Sequence, residues 1–267
     1  MFKAGLIGFG AIGKDVANYI KENKAGDIEL KAILVRNKDK YKDGPMGCTF
    51  YDNEEEFFQL GLDFIIENAG HEAVYQYANR AFSSGSHFLV VSVGAFNDTE
   101  FLKRTEETAK EYNRQLIFPS AAIGGLDRIA AASLNDIDQV SLVTKKPPKA
   151  WIGTFVEKEV DLFNLTEPQL IYDGTARESS KLFPESTNVS AALALAGIGF
   201  DKTKVQVYVD PTISRNTHQI ITEGFFGKME IQVQNIPSKE NPKSGYIVAM
   251  SICKVLKNYT SPIVIGI

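Results

Sequence analysis

Residues 1–14 read MFKAGLIGFGAIGK, a short apolar run that glycines interrupt and a lysine closes. The pattern is typical of a buried strand that enters a tight turn, rather than of a secretory signal. We expect the first strand over about 3–7, followed by an amphipathic helix with Ile12, Val16 and Ile20 on its apolar face.

The glycines after this strand, Gly8, Gly10 and Gly13, have the spacing G-x-G-x-x-G. The first glycine allows the tight turn, the second lets the backbone approach a pyrophosphate, and the third lets the helix pack on the strand. The helix N-terminus adds free N–H groups and a positive dipole end. The spacing also occurs in plain glycine-rich turns, but here a second strand follows at about 29–35, and this context predicts dinucleotide binding. The residues expected at the cofactor are Gly8, Gly10, Ala11 and Ile12.

The end of the second strand bears on the choice between NAD and NADP. An acidic residue there would bind the ribose hydroxyls of NAD, whereas an arginine accommodates the 2′-phosphate of NADP. This chain has Arg36 and Lys38, and Asp39 comes too late to replace the acid. The pattern favours NADP, or the use of both cofactors, although a solvated loop with no role in cofactor binding would show the same basic residues.

Strand and helix patterns alternate as far as about residue 118. This rhythm predicts right-handed crossovers and an α/β fold with a doubly wound parallel sheet. Cofactors bind at the carboxyl ends of such strands. We therefore expect the turn after the fourth strand, at Ala69 and Gly70, to contact the dinucleotide, although glycines at this point also serve as simple turn residues.

After Pro119 few helices separate the last three strand-like segments. This change predicts a second, α+β domain over 120–241, built on a mixed or antiparallel sheet. A dinucleotide-binding domain over 1–119 joined to a second domain suggests an oxidoreductase, because hydride chemistry needs mainly orientation, a proton acceptor and charge complementarity from the protein.

The composition excludes several classes of function. The chain has 267 residues with 29 basic and 33 acidic side chains, and this mildly acidic balance without a basic block does not favour binding to nucleic acid or to a membrane surface. No apolar run reaches the roughly 18 residues of a membrane span. The two cysteines, Cys48 and Cys253, are far apart, which fits a reducing cytoplasm and predicts neither a disulfide framework nor a metal site.

One of the three histidines stands out as a candidate catalytic group. His218 lies where a turn enters a strand, and the ordinary pKa of imidazole suits proton transfer at neutral pH. Asn216 would share its face of the strand and orient it or the substrate. A purely structural His218 is equally consistent with the residues alone. We expect His71 to cap a helix or contact the cofactor, and His87 to be structural.

Basic residues of the second domain are candidates for binding a carboxylate substrate. Arginine is favoured because it makes bidentate contacts, and a solvated lysine face is the alternative for any single lysine. The residues expected to bind the substrate are Lys145, Arg177 and Asn216.

Several blocks in order along the chain resemble the NAD(P)-dependent, Rossmann-containing L-aspartate dehydrogenase family. The blocks are residues 5–13 (GLIGFGAIG), 67–70 (ENAG), 92–95 (SVGA), 120–127 (SAAIGGLD), 146–151 (KPPKAW), 174–177 (GTAR), 188–192 (NVSAA), 210–211 (DP) with Asn216 and His218, and 241–243 (NPK). By this resemblance, His218 matches the active-site histidine, and Ala122 and Asn188 match positions that contact the dinucleotide. The family often has glycine where Ala121 stands and asparagine where Ser190 stands.

The resemblance also implies an activity and an assembly. The reaction would be the reversible, NAD- or NADP-dependent oxidation of L-aspartate to iminoaspartate and then to oxaloacetate and ammonia. The iminoaspartate would be available for NAD synthesis. A helix within 242–267 would return to the first domain, and the second-domain sheet would form a homodimer. Two alternatives stay open: another amino- or hydroxy-acid dehydrogenase similar to homoserine dehydrogenase, and a non-catalytic dinucleotide sensor.

Overall fold

The amino-terminal run forms a strand, a turn and a helix, as its pattern predicts. β1 spans Phe2–Ile7 and α1 spans Ala11–Lys21. α1 buries Val16, Ala17 and Ile20, because these apolar side chains recur at helical spacing on one face.

The computed structural model describes residues 1–41, 44–183, 187–238 and 245–266. The chain divides into a first unit, Met1–Ala121 with Ser238–Ile267, and a second unit, Ala122–Pro237. The 241–243 block that contributes to the family resemblance lies outside the described residues.

The first unit alternates strands and helices along the chain. After α1 its elements are β2 (Ile28–Leu34), β3 (Thr49–Tyr51), α2 (Glu54–Phe58), β4 (Phe64–Glu67), α3 (His71–Ser83), β5 (His87–Val90), α4 (Thr99–Glu111) and β6 (Leu116–Ile117). The strands form one parallel sheet in the order β3-β2-β1-β4-β5-β6. This sheet confirms the doubly wound α/β fold, and its order reverses between β1 and β4, where ligands bind in such sheets.

The second unit contains its own sheet. Its elements are α5 (Leu126–Ala132), β7 (Ile137–Lys146), β8 (Gln169–Thr175), α6 (Ala176–Leu182), α7 (Thr187–Ala196), β9 (Lys204–Val209), β10 (Thr217–Gly224) and β11 (Gly227–Gln234). The strand order is β11-β10-β7-β9-β8, in which only β7 and β9 run parallel. The predicted mixed sheet of an α+β domain is therefore confirmed.

Paired residues of neighbouring strands lie on the same face of this second sheet. Thr144 of β7 pairs with His218 of β10 and with Val207 of β9. These three residues are 2%, 6% and 1% exposed, so their face of the sheet is the buried one. His218 is therefore part of the interior of the second unit.

The last helix, α8 (Ile247–Thr260), belongs to the first unit and packs against α1. Ile252 and Leu256 of α8 join Val16 and Ile20 of α1 in one buried apolar cluster. Gly26, with a φ of +83°, leaves room for the end of α8, because a Cβ at Gly26 would overlap Thr260 Oγ1.

Within the described ranges, no helix has both the length and the apolar character needed to cross a membrane. The same part of the chain holds no cluster of three or more side chains suited to a metal ion. Cys48 and Cys253 are both buried free thiols, and burial raises the pKa of Cys48 to about 11 and that of Cys253 to about 12.

Candidate functional site: cofactor turns and histidine cluster

The glycine turn after β1 has the geometry that a pyrophosphate requires. Gly8 has a φ of +92°, and a Cβ there would lie 2.9 Å from the Ala69 Cβ. A Cβ at Gly13 would lie 2.8 Å from the Gly8 carbonyl oxygen, so this glycine lets α1 approach the strand. Gly10 instead faces open space in the described structure and is exposed. The two outer glycines are thus needed for packing, and the middle one leaves the turn accessible.

The start of α1 is open to an anion. Gly10 is its N-cap residue and provides no side-chain hydrogen bond, so the first N–H groups of the helix, from Ala11 and Ile12, are not capped by a side chain. Helix N-termini of this kind attract phosphate through these N–H groups and through the helix dipole.

The turn after β4 lies beside the glycine turn, because β1 and β4 are neighbours in the sheet. Ala69 is exposed there, and Gly70, with a φ of +119°, caps α3. His71 therefore begins α3 but is not its cap. Both amide atoms of the Asn68 side chain are buried without a hydrogen-bond partner among the described residues. Buried polar atoms of this kind need a partner, and a bound dinucleotide or an ordered water would supply one.

Arg36 lies just beyond the end of β2 and is exposed. The structure gives it no ion pair within the described residues, whereas Lys38 pairs with Asp52 at 3.0 Å. Of these two cations, Arg36 is the better placed to accept a 2′-phosphate. Together with the open glycine turn and the unpaired Asn68 amide, it makes the first unit a good fit for NAD or NADP.

His218 is the centre of a second cluster, in the second unit. Its Nδ1 lies 3.1 Å from Thr144 Oγ1, directly across the β7–β10 pairing. Burial, and after it the positive charge of Lys146, lower the pKa of His218 to about 4. The imidazole is therefore neutral at physiological pH, and Nδ1 is the ring nitrogen that faces the Thr144 hydroxyl.

Lys145, which the sequence predicts to bind the substrate, does not share a sheet face with His218. Lys145 pairs with Thr217 and Tyr208, so it lies on the sheet face opposite His218, and its Nζ is 5.7 Å from the Tyr208 ring centroid. Lys146, one residue later, lies on the face of His218. Its Nζ is 4.9 Å from the Trp151 ring centroid. Lys146 belongs to the 146–151 block and is not among the residues that the sequence predicts to bind the substrate.

Arg177, which the sequence also predicts to bind the substrate, is paired with an acidic side chain. It lies in the first turn of α6 and makes a bidentate ion pair with Asp201, one bond of which is 2.8 Å long. The guanidinium also lies 5.6 Å from the Phe200 ring centroid. Its charge is thus already balanced by Asp201 within the second unit.

The remaining candidates have distinct positions. Asn216 comes one residue before β10 begins, so it does not share a strand face with His218 as expected. Asn188 is half-buried in the first turn of α7. The carbonyl oxygen of Ala122 accepts a 2.7 Å hydrogen bond from the Asn235 side chain, which fixes the backbone at this position.

Asp210 is a buried carboxylate that the sequence analysis placed in a family block without a role. It is 2% exposed and directly follows β9. Its N–H donates to the Lys146 carbonyl oxygen at 2.9 Å, and its Oδ1 accepts from the Thr212 N–H and hydroxyl. It therefore anchors the turn that leads from β9 towards His218.

His87 has a structural environment, in line with its expected role. It stands at the start of β5, where its Nδ1 accepts a 3.1 Å hydrogen bond from the Gln115 N–H and its ring stacks on Phe64. Burial is the main reason that the pKa of His87 is lowered.

The chain is similar to known proteins over nearly its whole length. The family described as "Aspartate dehydrogenase, C-terminal" matches residues 127–259, and "Homoserine dehydrogenase, NAD binding domain" matches residues 8–119. The L-aspartate dehydrogenase of Methanosarcina barkeri is 40% identical over 100% of both chains. That of Brucella anthropi is 36% identical over 97% of both chains.

Solved structures give the same result. A crystal structure of aspartate dehydrogenase from Thermotoga maritima is 28% identical, covers 100% of both chains and has a TM-score of 0.81. A homoserine dehydrogenase from Thiobacillus denitrificans, 12% identical with a TM-score of 0.64, covers 98% of this chain and 74% of its own, and at this identity it shares the fold alone. Since relatives at 36–40% identity align over nearly the full chain, the protein belongs to the L-aspartate dehydrogenase family.

Proposed function

We propose that this chain is an NAD(P)-dependent L-aspartate dehydrogenase, which oxidises L-aspartate to iminoaspartate that water then hydrolyses to oxaloacetate and ammonia. The observation that carries this proposal is the buried His218, held at 3.1 Å by Thr144 in a member of this family. A sensor that only binds the dinucleotide would have no need of such a base.

A bound NAD or NADP would supply the acceptor for the hydride that leaves Cα of aspartate. The chain's own contribution is proton transfer, since the amino group must lose protons as the imine forms. In our proposal, His218 Nδ1–H donates a hydrogen bond to Thr144 Oγ1, which keeps the ring proton on Nδ1. Nε2 is then unprotonated and accepts a proton from the amino group. His218 later returns a proton during hydrolysis of the imine.

We assign one substrate carboxylate to Lys146, which lies on the sheet face of His218 and is close enough to lower its pKa. Asn216, two residues before His218, is proposed as a second polar contact to the substrate. Neither Lys145 nor Arg177 is included, because the first lies on the opposite sheet face and the second is paired with Asp201.

The cofactor is assigned to the turns of the first unit and to two residues of the second. A dinucleotide-binding domain of residues 1–119 with 242–267, and a substrate and dimerisation domain of 120–241, are parts of the same proposal. The residues proposed to contact the dinucleotide are Gly8, Gly10, Ala11, Ile12, Arg36, Ala69, Gly70, Ala122 and Asn188.

The decisive experiment follows NADH and NADPH formation with a panel of amino and hydroxy acids that includes L-aspartate and L-homoserine. We expect turnover with L-aspartate. Turnover with L-homoserine alone would favour the homoserine-type alternative, and dinucleotide binding without turnover of any substrate would favour a sensor.

A histidine pair tests the role of His218 directly. His218→Asn should lose most of kcat while the dissociation constant for NADPH stays within about twofold of the parent. His87→Gln is the matched control, because His87 lies at the amino end of β5, away from the carboxyl edge of the sheet, and should retain kcat. Full activity of His218→Asn would refute the assignment.

We also propose a homodimer formed through the outer face of the second-unit sheet. This face carries half-buried side chains such as Val143, Tyr208 and Ile221, which a partner copy would cover. Light scattering of the parent chain and of Ile221→Glu tests this assembly, and a parent that is monomeric at micromolar concentration would refute it.

A cytoplasmic location and a supply of iminoaspartate to pyridine-nucleotide synthesis complete the proposal. The buried free thiols of Cys48 and Cys253 support a reducing compartment. Supply of the imine requires that it leave the enzyme before water hydrolyses it. Oxaloacetate should then appear after a lag behind NADH, and simultaneous appearance of both products would contradict this role.

A further inference from the structure

Glu67, the last residue of β4, is a carboxylate with no exposed surface at all. Its Oε1 accepts hydrogen bonds from the N–H groups of Ala69 and Gly70 at 2.7 and 2.8 Å, and from the Ser92 hydroxyl at 2.9 Å. Its Oε2 accepts from the Ser92 N–H at 3.0 Å. One side chain thus holds the turn after β4 and the turn after β5.

The two oxygens of a carboxylate suit this set of donors. Four N–H and O–H groups converge on Glu67, and a carboxylate offers acceptor sites alone, on two oxygens. A glutamine would direct its own N–H₂ group at one of the donors. The arrangement therefore depends on both oxygens of Glu67 acting as acceptors.

The two turns lie at the carboxyl edge of the sheet, next to the point where the strand order reverses. The first of these two turns packs closely against the glycine turn after β1. A Cβ at Gly8 would touch Ala69, and a Cβ at Gly13 would lie 2.8 Å from Asn68 Oδ1. A shift of the Asn68–Gly70 turn would therefore disturb the packing of the glycine turn after β1, which we assign to the pyrophosphate.

We propose that Glu67 is a positioning residue for the dinucleotide: without touching it, the carboxylate holds the Asn68–Gly70 turn and the Ser92 turn in the geometry that binds the cofactor. This inference rests on the cofactor assignment made above. The physical reason is preorganisation, since loops already fixed in the bound geometry lose less entropy when the ligand arrives.

The test is a fluorescence titration of the full-length protein with NADPH, without substrate. Glu67→Gln should raise the dissociation constant about tenfold, the usual scale when a supporting hydrogen-bonded group is removed. Ser92→Ala keeps the backbone donor and loses only the hydroxyl, so it should raise the constant two- to fivefold, roughly the effect of one hydrogen bond. The KM for L-aspartate at saturating cofactor should stay unchanged in both variants.

Glu54→Gln is the matched control. Glu54 is also a hydrogen-bonded carboxylate of the first unit, but its partners are Gln76, Tyr77 and Arg80 of α3. It should lower the thermal midpoint and leave the NADPH dissociation constant unchanged.

Two outcomes separate this inference from the proposed function. If the parent binds NADPH but Glu67→Gln and Ser92→Ala bind it equally well, Glu67 has only a structural role and the inference is overturned. If Glu67→Gln does not fold, an unchanged NADPH dissociation constant in Ser92→Ala is sufficient by itself to overturn the inference. A parent that binds neither NADPH nor NADH would instead refute the cofactor assignment itself.

Discussion

The imidazole of His218 should stay neutral far below the pH at which a histidine in water becomes charged. Burial, and then the charge of Lys146, lower its pKa from 6.5 to about 4. Between these two values the unfolded chain binds a proton at this residue and the folded chain does not. The free energy of unfolding therefore falls as the pH falls through this window, and the contribution of His218 is fully present only above pH 6.5.

The size of the effect follows from the two pKa values. At about 1.4 kcal/mol per pH unit, the interval from 6.5 to about 4 corresponds to about 3 kcal/mol of unfolding free energy. About 2 kcal/mol of this is lost between about pH 7 and pH 5. His218→Asn keeps a polar group near Thr144 but has no group that titrates at this position. Between about pH 7 and pH 5, the parent should therefore lose about 2 kcal/mol more unfolding free energy than the variant.

Two measurements check this prediction. Urea unfolding of both proteins at the two pH values gives the difference in free energy. Proton NMR of the imidazole Cε1–H groups gives the pKa directly, because the chain has only 3 histidines and the signal missing in His218→Asn identifies the residue. A His218 midpoint at or above 6.5, or equal pH dependence of the two proteins, would refute our description of its burial.

Three further substitutions follow from the structure. Lys146→Met should raise the pKa of His218, because it removes a positive charge that contributes to lowering that pKa, and it should also raise the KM for L-aspartate. NMR titration measures the pKa and steady-state kinetics measure the KM. An unchanged KM would exclude Lys146 from the substrate site. Arg36→Ala should raise the KM for NADP about tenfold, the scale of one charge-assisted contact, and leave that for NAD within about twofold; equal changes for both would show that Arg36 does not bind the 2′-phosphate. Ala121→Gly should stabilise the protein by about 1 kcal/mol, because Ala121 has a φ of +48° in the left-handed region; a lower thermal midpoint would contradict this reasoning.

The nucleotide-binding fold could be predicted from the sequence because its signals are local. The strand over 3–7 and the helix with Val16 and Ile20 on one face each lie within one short stretch, and the structure places them at Phe2–Ile7 and Ala11–Lys21. The left-handed φ of Ala121 likewise gives a physical reason why the family often has glycine at this position.

Neither β8 nor α6 is predicted from the sequence, and the reason differs between the two elements. β8 is an edge strand whose residues are exposed or half-buried, so it lacks the alternation of apolar and polar residues that marks a half-buried strand. The start of α6 did carry a signal, the capping box of Thr175 and Glu178. Arg177 lies inside this motif, yet its ion pair with Asp201, 24 residues away, is made only by the fold.

The choice between Lys145 and Lys146 shows what a sequence cannot supply for the candidate site. Two consecutive lysines at the end of a strand point to opposite faces, and nothing in their own positions says which face holds the histidine. The register of β7 against β10 decides it: Thr144 stands opposite His218, so Lys146 shares their face and Lys145 does not. Once this pairing is known, the lysine two positions from the strand partner of His218 is the better candidate for contact with the substrate. The same parity explains why Thr144, which no motif marks, lies within hydrogen-bonding distance of His218 Nδ1.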